Sequence, residues 1–407
     1  MNAMSDLRPA ARGAMRAPGF LSGSWLAVRL AWRQLRSERA RLASAIAGVM
    51  FACVLVFMQL GFRAALFESA TTLIGAMRAD LFLMSPMTLA SFRPETIPRV
   101  RVSQALGVEA VQAAVPVYLA QASFRNPESG RRRMIQLIGF DAEAGVLDLP
   151  GLAAMREALK QPDTIAFDAR SRPEFGPVLR MFQEQGPFAV QIGNREMRVV
   201  GTVEMGTSFG ADGNAVLSEV NFRRAVRERP QALVDLAAIR LKPGADLLAA
   251  QAALRAIMPP DVAVLTQEEL RRHELRYWEE ATPIGFIFSF GSLMGLIVGM
   301  VIVYQILFSD IAGHLKEYAT LKAMGYSNAH LSRVVLGAAG ILALLGFVPG
   351  TIASAMLYGV IADATFLPLA MATERAVTVF LMIFAMCGVA GLLAVRKLRD
   401  ADPADMF

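Results

Sequence analysis

Four long runs without a charged side chain constrain this protein more than any other feature of its sequence. They are Ala43–Phe62, Ala281–Ser309, Val334–Ala362 and Ala376–Val395. Each reaches the roughly 20 residues that an α-helix needs to cross a hydrocarbon core of about 30 Å. The composition agrees, because 55% hydrophobic against 19% charged residues and a mean hydropathy of +0.42 are too apolar for an ordinary soluble domain. The sequence therefore predicts a membrane protein with four spanning helices.

A secretory signal peptide is the alternative for the first run, since arginines precede it. The run is longer than the usual apolar region of about 7 to 15 residues, and no small-residue cleavage site follows it. We therefore expect residues 43–62 to remain as the first transmembrane helix, with 283–309, 334–362 and 376–395 as the second, third and fourth.

Basic residues near the ends of the runs predict the orientation. Residues 1–42 carry eight arginines, and the segment 310–333 and the tail 396–407 carry three basic residues each, whereas 363–375 has only Arg375. The positive-inside rule then places both termini and 310–333 in the cytoplasm, with 363–375 an external loop. We expect a multi-pass protein of the cell inner membrane. Its net charge of +6 fits anionic lipid headgroups, and no basic patch with interleaved aromatic residues indicates nucleic acid.

This orientation leaves one large segment, residues 63–282, on the outer side. Residues 63–79 keep helical spacing, which predicts a stalk that continues the first helix. Strands are expected at Val115–Ser123, Met134–Phe140, Phe188–Ile192, Met197–Val203 and Val234–Leu241. Helices are expected at Ser103–Ala114, Gly176–Gln185, Asn221–Glu228 and Leu247–Met258. The sequence thus predicts an extracytoplasmic α+β domain, here called the inserted domain, between the first and second spans.

Signatures of catalysis and metal binding are missing from the sequence. It has no G-x-x-x-x-G-K-[ST] loop, no H-E-x-x-H and no C-x-x-C. One G-x-S-x-G string, GTSFG at 206–210, has no strand–turn–helix context or histidine partner, so a Gly-rich loop is favoured over a nucleophile elbow. Both cysteines, Cys53 and Cys387, lie in predicted spans and offer no disulfide framework. We expect no catalytic residue, no cofactor and no metal site.

Two cytoplasmic segments have helical patterns. Residues 22–42 alternate Trp and Leu with arginines, as in an amphipathic helix on the membrane surface, with an ordinary basic flank as the alternative. Residues 1–21 are expected to be disordered. Between the second and third spans, HLKEYATLKAMGYSNAHL (314–331) has a helical face and a stop at Gly325. From the residues alone, a short helix that couples the two spans and a plain connector both remain open.

Glycines repeat along one face of the second span. Gly291, Gly295 and Gly299 form two overlapping G-x-x-x-G motifs, a pattern that lets helices approach closely. The partner helix is either in a second subunit, which we favour, or in the same chain.

Several segments resemble a known family. EYATLKAMGYS, from Glu317 on, is similar to the coupling helix of FtsX and MacB superfamily ABC transporter permeases, and the closer resemblance is to the DevC family. It extends through LAWRQLRSERARL (30–42), MQLGFRAALFESA (58–70), SRPEFGP (171–177), GTSFGADGNAVLSEVNF (206–222) and TPIGFIFSFGSLMGLIVGMVIVYQILFSDI (282–311). His314 and Lys316 depart from a more acidic or Pro-containing start of that helix.

The resemblance implies four spans with a MacB-like external domain, the type VII ABC permease architecture, in a homodimer. It implies a separate cytoplasmic ATPase, contacted by Glu317, Leu321, Lys322 and Gly325. A membrane fusion protein and an outer-membrane channel would complete an exporter of a lipid-like or amphipathic substrate. The alternative is an FtsX-like signalling subunit that regulates an external cell-wall hydrolase.

Overall fold

Four long helices carry the apolar runs. The computed structural model describes residues 39–208, 210–313 and 328–399, with side chains at all of them but 328–331 and 397–399. Numbered in chain order, the long helices are α1 (Arg39–Ala76), α8 (Pro283–Gly313), α9 (Asn328–Thr365) and α10 (Thr373–Arg399). All four are long and apolar enough to cross a membrane. With the α+β domain between α1 and α8, they confirm the predicted fold class.

The chain forms two compact units, which are described separately below. One contains the described residues up to Phe57, Leu293–Ser354 and those from Thr373 onward. The other contains Met58–Ser292 and Ala355–Ala372, and therefore includes the inserted domain.

A nine-stranded sheet organises the inserted domain. Its strands are β1 (Leu81–Met84), β3 (Val111–Arg125), β4 (Arg132–Phe140), β5 (Thr164–Asp168), β6 (Phe188–Ile192), β7 (Arg195–Val203), β8 (Asn214–Ser218), β10 (Leu236–Leu241) and β11 (Ala263–Thr266). The strand order is β11-β1-β10-β3-β4-β8-β5-β7-β6, and β6 pairs back onto the far end of β3. The pairs β4–β8 and β5–β7 are parallel and the others antiparallel. A separate two-stranded sheet joins β2 (Ile97–Pro98) to β9 (Leu233–Val234).

Short helices cover both faces of the sheet. They are α2 (Val100–Ala105), α3 (Arg156–Lys160), α4 (Val178–Gln185), α5 (Glu219–Ala225), α6 (Leu247–Ile257) and α7 (Gln267–Arg276). One apolar core contains Leu81 and Leu83 together with residues of α2, α4, α5 and α6. The other contains Phe82 and Met84 together with Ile74 of α1 and residues of α3 and α7. Because successive side chains of a strand point to opposite faces, β1 contributes to both cores.

Some secondary-structure predictions for the inserted domain are wrong. The helix predicted for Ser103–Ala114 is only the short α2, because the chain turns at Gly107 and residues from Val111 on pair with β10. The strands β1, β5 and β8 were missed, since every residue in them is buried. A strand buried on both faces lacks the alternation that reveals a half-exposed one.

Other predicted segments lie partly outside the described residues. Of the predicted surface helix 22–42, only 39–42 are described, and these belong to α1. The segments 1–21 and 400–407 and most of 310–333 also lie outside. The domain boundaries given above therefore stay predictions.

Candidate functional site

The end of α1 is fixed to the inserted domain. The helix continues without a break from Arg39 to Ala76, well beyond the apolar run that ends at Phe62. Ile74, in the last turn of α1, and Met77, the first residue after α1, are buried in the sheet core. The side-chain amide of Gln267, at the start of α7, donates to the carbonyls of Ile74 (3.0 Å) and Met77 (3.3 Å). Any rotation of this helix end must therefore move the sheet with it.

A second contact joins α1 to the turn that precedes α8. Trp278 packs against Leu66 and Ala70 of α1, and Arg63 forms an ion pair with Glu279 at 2.6 Å. The Trp278 indole N–H donates to the buried carboxylate of Glu274 (3.1 Å). Burial raises the pKa of the Glu274 carboxyl, although this hydrogen bond opposes the shift. An aromatic cluster of this kind suits the boundary between apolar and aqueous surroundings.

The glycines of α8 face other helices of the same chain. A Cβ atom added at Gly299 would lie 2.5 Å from Cβ of Ala52 and 2.7 Å from Sδ of Met386. At Gly295 it would lie 3.3 Å from Cβ of Leu55. At Gly291 it would lie 2.5 Å from the side-chain amide of Gln59. All these contacts are within the chain, and a role between subunits stays a prediction.

A buried carboxylate holds the segment that connects β7 to β8, residues 204–213, which we call the junction loop. Asp168, the last residue of β5, is fully buried. Its Oδ1 accepts the backbone N–H of Arg170 (3.1 Å) and of Met205 (3.0 Å). Its Oδ2 accepts the N–H of Gly206 (2.9 Å) and the side-chain amide of Asn214 (2.8 Å). Four donors on one carboxylate fix the start and the end of the loop together.

Ion pairs also stabilise the ends of the junction loop. Asp212 contacts Arg133 (2.7 Å) and Arg172 (3.0 Å), and Glu204 contacts Arg170 (2.9 Å). Since these side chains are partly exposed, each pair contributes little by itself. Together they oppose movement of the loop ends along the sheet.

The middle of the junction loop contacts the turn between α9 and α10. The Thr207 hydroxyl donates to the backbone carbonyl of Phe366 at 3.0 Å, and Thr207 is only 3% exposed. Phe366 follows the last residue of α9 and adopts a left-handed conformation with φ +60°, uncommon for a non-glycine residue. Its N–H donates to the carbonyl of Ala362 (2.8 Å). The inserted domain thus reaches the α9–α10 turn through a buried hydrogen bond.

A small cavity separates the junction loop from α1. Its volume is about 40 Å³. Ser69 and Leu73 of α1 line one side, and Gly206 and Ser208 line the other. Gln136 of β4 also lines it, and the buried side-chain amide of that residue has no hydrogen-bond partner in the part of the chain that the structure describes.

The residues predicted to contact an ATPase, Glu317, Leu321, Lys322 and Gly325, lie outside the described residues. Ser208 of GTSFG lies in the junction loop, where its hydroxyl accepts the N–H of Ala211. The histidine of the inserted domain, His273, contacts the carbonyl of Thr88 instead. Among the residues that the structure describes, no group of three His, Cys, Asp or Glu side chains could hold a metal ion.

Asp168 and Thr207 were not singled out from the sequence. An aspartate directly after an apolar run (TIAF, 164–167) marks the end of a buried strand, a signal that could have found Asp168. No local pattern indicates Thr207, because its partner lies far along the chain. SRPEFGP (171–177) contains a 3-10 helical turn, Pro173–Phe175, whose Phe175 is buried in the sheet core.

Two family models match the chain. The MacB-like periplasmic core domain matches residues 42–257, and the FtsX-like permease C-terminal region matches residues 289–403. No curated protein matches.

Three solved structures are similar to part of the chain. The periplasmic region of MacB from Actinobacillus actinomycetemcomitans is 10% identical, with 49% of this chain and 93% of that chain covered and a TM-score of 0.36. The extracellular domain of the transporter YknZ from Gram-positive bacteria is 11% identical (46% and 99% covered, TM-score 0.30). A domain of a protein classed as a permease from Porphyromonas gingivalis is 13% identical (46% and 87% covered, TM-score 0.29).

TM-scores this low do not support an inference from these three structures. Family membership is therefore inferred from the two family models. The first of them alone covers more than half of the chain, in the region that contains all of the sheet except β11 and all of the short helices except α7. The second covers α8 from residue 289 on and the described parts of α9 and α10. The chain therefore belongs to the FtsX-like permeases of ABC transporters that carry a MacB-like periplasmic core domain.

Proposed function

We propose that this chain is the permease subunit of a DevC-like ABC exporter, driven by an ATPase on a separate polypeptide. The observation that carries the proposal is that both permease family models match a chain whose sequence contains no nucleotide-binding loop. The energy for transport then has to reach the chain through a protein contact. We assign no catalytic step to the chain itself.

The contact with the ATPase is proposed to lie in the segment 314–331, between α8 and α9. In this proposal Glu317 and Lys322 would supply charge, Leu321 an apolar contact and Gly325 the end of the helix that the sequence predicts. ATP binding would bring two such segments together in a homodimer, in the cytoplasm, and the helices would pass this movement on. The fixed end of α1 supports this route, because α1 is a continuous helix whose end is hydrogen-bonded to the inserted domain.

On the outer side, the periplasmic core domain is proposed to dock a membrane fusion protein that leads to an outer-membrane channel. The proposed substrate is lipid-like or amphipathic, by analogy with the family alone. We place the protein in the inner membrane with both termini in the cytoplasm, as the basic flanks of the spans favour.

Co-purification from the native membrane tests this function. Wild type and Glu317→Arg are extracted in mild detergent, and the proteins bound to each are identified by mass spectrometry. We expect wild type to retain an ABC ATPase and a membrane fusion protein, and the variant to lose the ATPase. Glu374→Arg, the same charge reversal at an exposed position of α10 outside the segment 314–331, is the matched control and should keep both partners.

Each other outcome changes the conclusion. An ATPase that stays bound to Glu317→Arg would place the coupling contact elsewhere. Recovery of a cell-wall hydrolase in place of the fusion protein would favour the signalling alternative, and absence of any ATPase from wild type would overturn the proposal.

A further inference from the structure

We infer that Thr207 fastens the periplasmic core domain to the α9–α10 turn, so that the junction loop transmits movement between them. The coupling role rests on the proposed function, whereas the fastening itself does not. Three structural features carry the inference: a buried carboxylate holds both ends of the loop, the contact of the loop with the turn is buried, and a small cavity lies between the loop and α1.

The rigidity of the junction loop follows from its contacts. Asp168 ties both ends of the loop to β5, as described above. The second half of the loop packs closely, because a Cβ atom at Gly210 would lie 2.7 Å from Cγ of Phe92. At Gly213 it would lie 2.6 Å from a ring carbon of Phe175, in the sheet core. These two contacts and the Asp168 hydrogen bonds hold the loop to the sheet.

The contact with the turn includes a hydrogen bond that is shielded from water. Thr207 Oγ1 donates to the Phe366 carbonyl, and Thr207 is almost completely buried. If the two segments separated, the hydroxyl would lose its partner, which is costly for a buried group. The carbonyl is also held in place, since Phe366 is bonded through its N–H to the last turn of α9. The bond therefore resists displacement on both sides.

The junction loop packs less closely against α1 than against the sheet. The cavity of about 40 Å³ between the junction loop and α1 has room for a water molecule or two, and the Gln136 amide beside it has no hydrogen-bond partner among the described residues. The junction loop therefore packs less closely against α1 at this point than against Phe92 and the sheet core.

Hydrogen–deuterium exchange of the full-length protein in nanodiscs tests the fastening. Thr207→Val keeps the branched shape and removes the hydroxyl, while Thr207→Ser keeps the hydroxyl. We expect peptides that cover 362–370 to exchange about five-fold faster in Thr207→Val, the effect of losing one typical hydrogen bond, and at the wild-type rate in Thr207→Ser. A β4 peptide, 132–140, should be unchanged in both variants and reports that the sheet is intact. Wild-type exchange at 362–370 in Thr207→Val would overturn the inference.

A second arm tests the transmission, with the co-purified ATPase present. We expect a non-hydrolysable ATP analogue to change exchange at 204–213 in wild type and in Thr207→Ser, and to leave it unchanged in Thr207→Val. An equal response in Thr207→Val would refute transmission through this bond. If no ATPase pairs with the chain, wild type itself shows no response to the analogue, and only the first arm then decides whether Thr207 fastens the turn.

Discussion

The carboxylate of Asp168 shows at the scale of one residue why a charge is tolerated in the middle of a domain. It has no access to water, but it meets four donors, three of them backbone N–H groups that would otherwise be left without partners. An ionised carboxylate only accepts hydrogen bonds, so its chemistry matches this set of donors. In an Asn side chain an NH2 group would replace one of the two carboxylate oxygens, and its N–H donors would face groups that also donate.

Asp168→Asn should therefore be strongly destabilising despite its similar shape. We expect a loss of about 3 kcal/mol in the free energy of unfolding, because hydrogen bonds to a charged group are among the strong ones. Thermal unfolding of the detergent-solubilised protein measures it. The control is Asp261→Asn, which removes a partly exposed ion pair with Arg101 and should change stability by less than about 1 kcal/mol. Equal effects of the two substitutions would contradict the role given to Asp168.

Asp235 is a buried carboxyl with fewer partners. Its Oδ2 accepts the N–H of Leu119 (2.8 Å) and contacts Arg229, while its Oδ1 has no hydrogen-bond partner among the described residues. Burial raises the pKa of the Asp235 carboxyl to about 6, although Arg229 lowers it. The folded protein thus holds a proton here more tightly than the unfolded chain does.

This pKa predicts a pH dependence of stability with a definite sign. Because the folded pKa is above the unfolded one, stability from this group is greatest below about pH 4 and falls as pH rises through about 6, by up to about 3 kcal/mol. Asp235→Asn removes the titration. We expect wild type to lose stability relative to this variant between pH 4 and pH 7, in thermal melts of both proteins. A constant difference between them across that range would show that the carboxyl does not titrate there.

At the scale of elements, the close face of α8 decides how the spanning helices pack. Gly299 lies close to two other helices, since a Cβ atom there would meet both Ala52 and Met386 within 3 Å. Gly388 in α10 has no neighbour within 4 Å of such a Cβ. The two positions are therefore a matched pair, with the same substitution in different surroundings.

Gly299→Ala is expected to lower stability by about 1–3 kcal/mol, the usual result of overpacking, and Gly388→Ala to be neutral. Resistance of each variant to heat and to denaturing detergent measures the difference. The experiment also separates the two interpretations of the G-x-x-x-G pattern. A Gly299→Ala protein that keeps its subunit fold but loses its dimer would place this face between subunits.

Secondary-structure elements could be predicted from the sequence where one of their faces is exposed to solvent. The sequence predicts β6 with the bounds that the structure has, and β4 and β7 within two residues, because exposed and buried positions mix along these strands. It misses β1 because all four residues are buried on both faces. It also extends one helix through Gly107 into β3, where pairing with β10 overrides local helical spacing.

At the scale of the whole molecule, the four spans follow from hydropathy alone, whereas the contacts of the junction loop do not. Thr207 and Phe366 are 159 residues apart, and a bond to a backbone carbonyl leaves no trace in residue type. The same limit applies to Asp168 and Asn214, which meet only because β5 and β8 are neighbours in the sheet. The sequence therefore predicts the architecture and not the site.

The proposed orientation predicts which single cysteines react on each side of the membrane. Cys53 and Cys387 are both fully buried, so the wild-type protein should give no background with a membrane-impermeant maleimide. Met87→Cys, at a position 74% exposed in the inserted domain, should be labelled in spheroplasts. Ser5→Cys, near the N-terminus, should be labelled only after lysis. The reverse pattern of labelling would invert the topology.

The pairing of β6 back onto β3 has a consequence for solubility. It leaves β11 as the one strand of the nine-stranded sheet with a single neighbour, among the residues that the structure describes. In β11 the backbone carbonyl of Val264 accepts hydrogen bonds from the side chains of Gln251 (3.1 Å) and Arg255 (2.9 Å). Open strand edges are where β-sheet proteins join into aggregates. The partial pairing of β6 with β3 and the capped carbonyl of β11 thus reduce the open edge available for aggregation, although no disulfide links the strands of this domain.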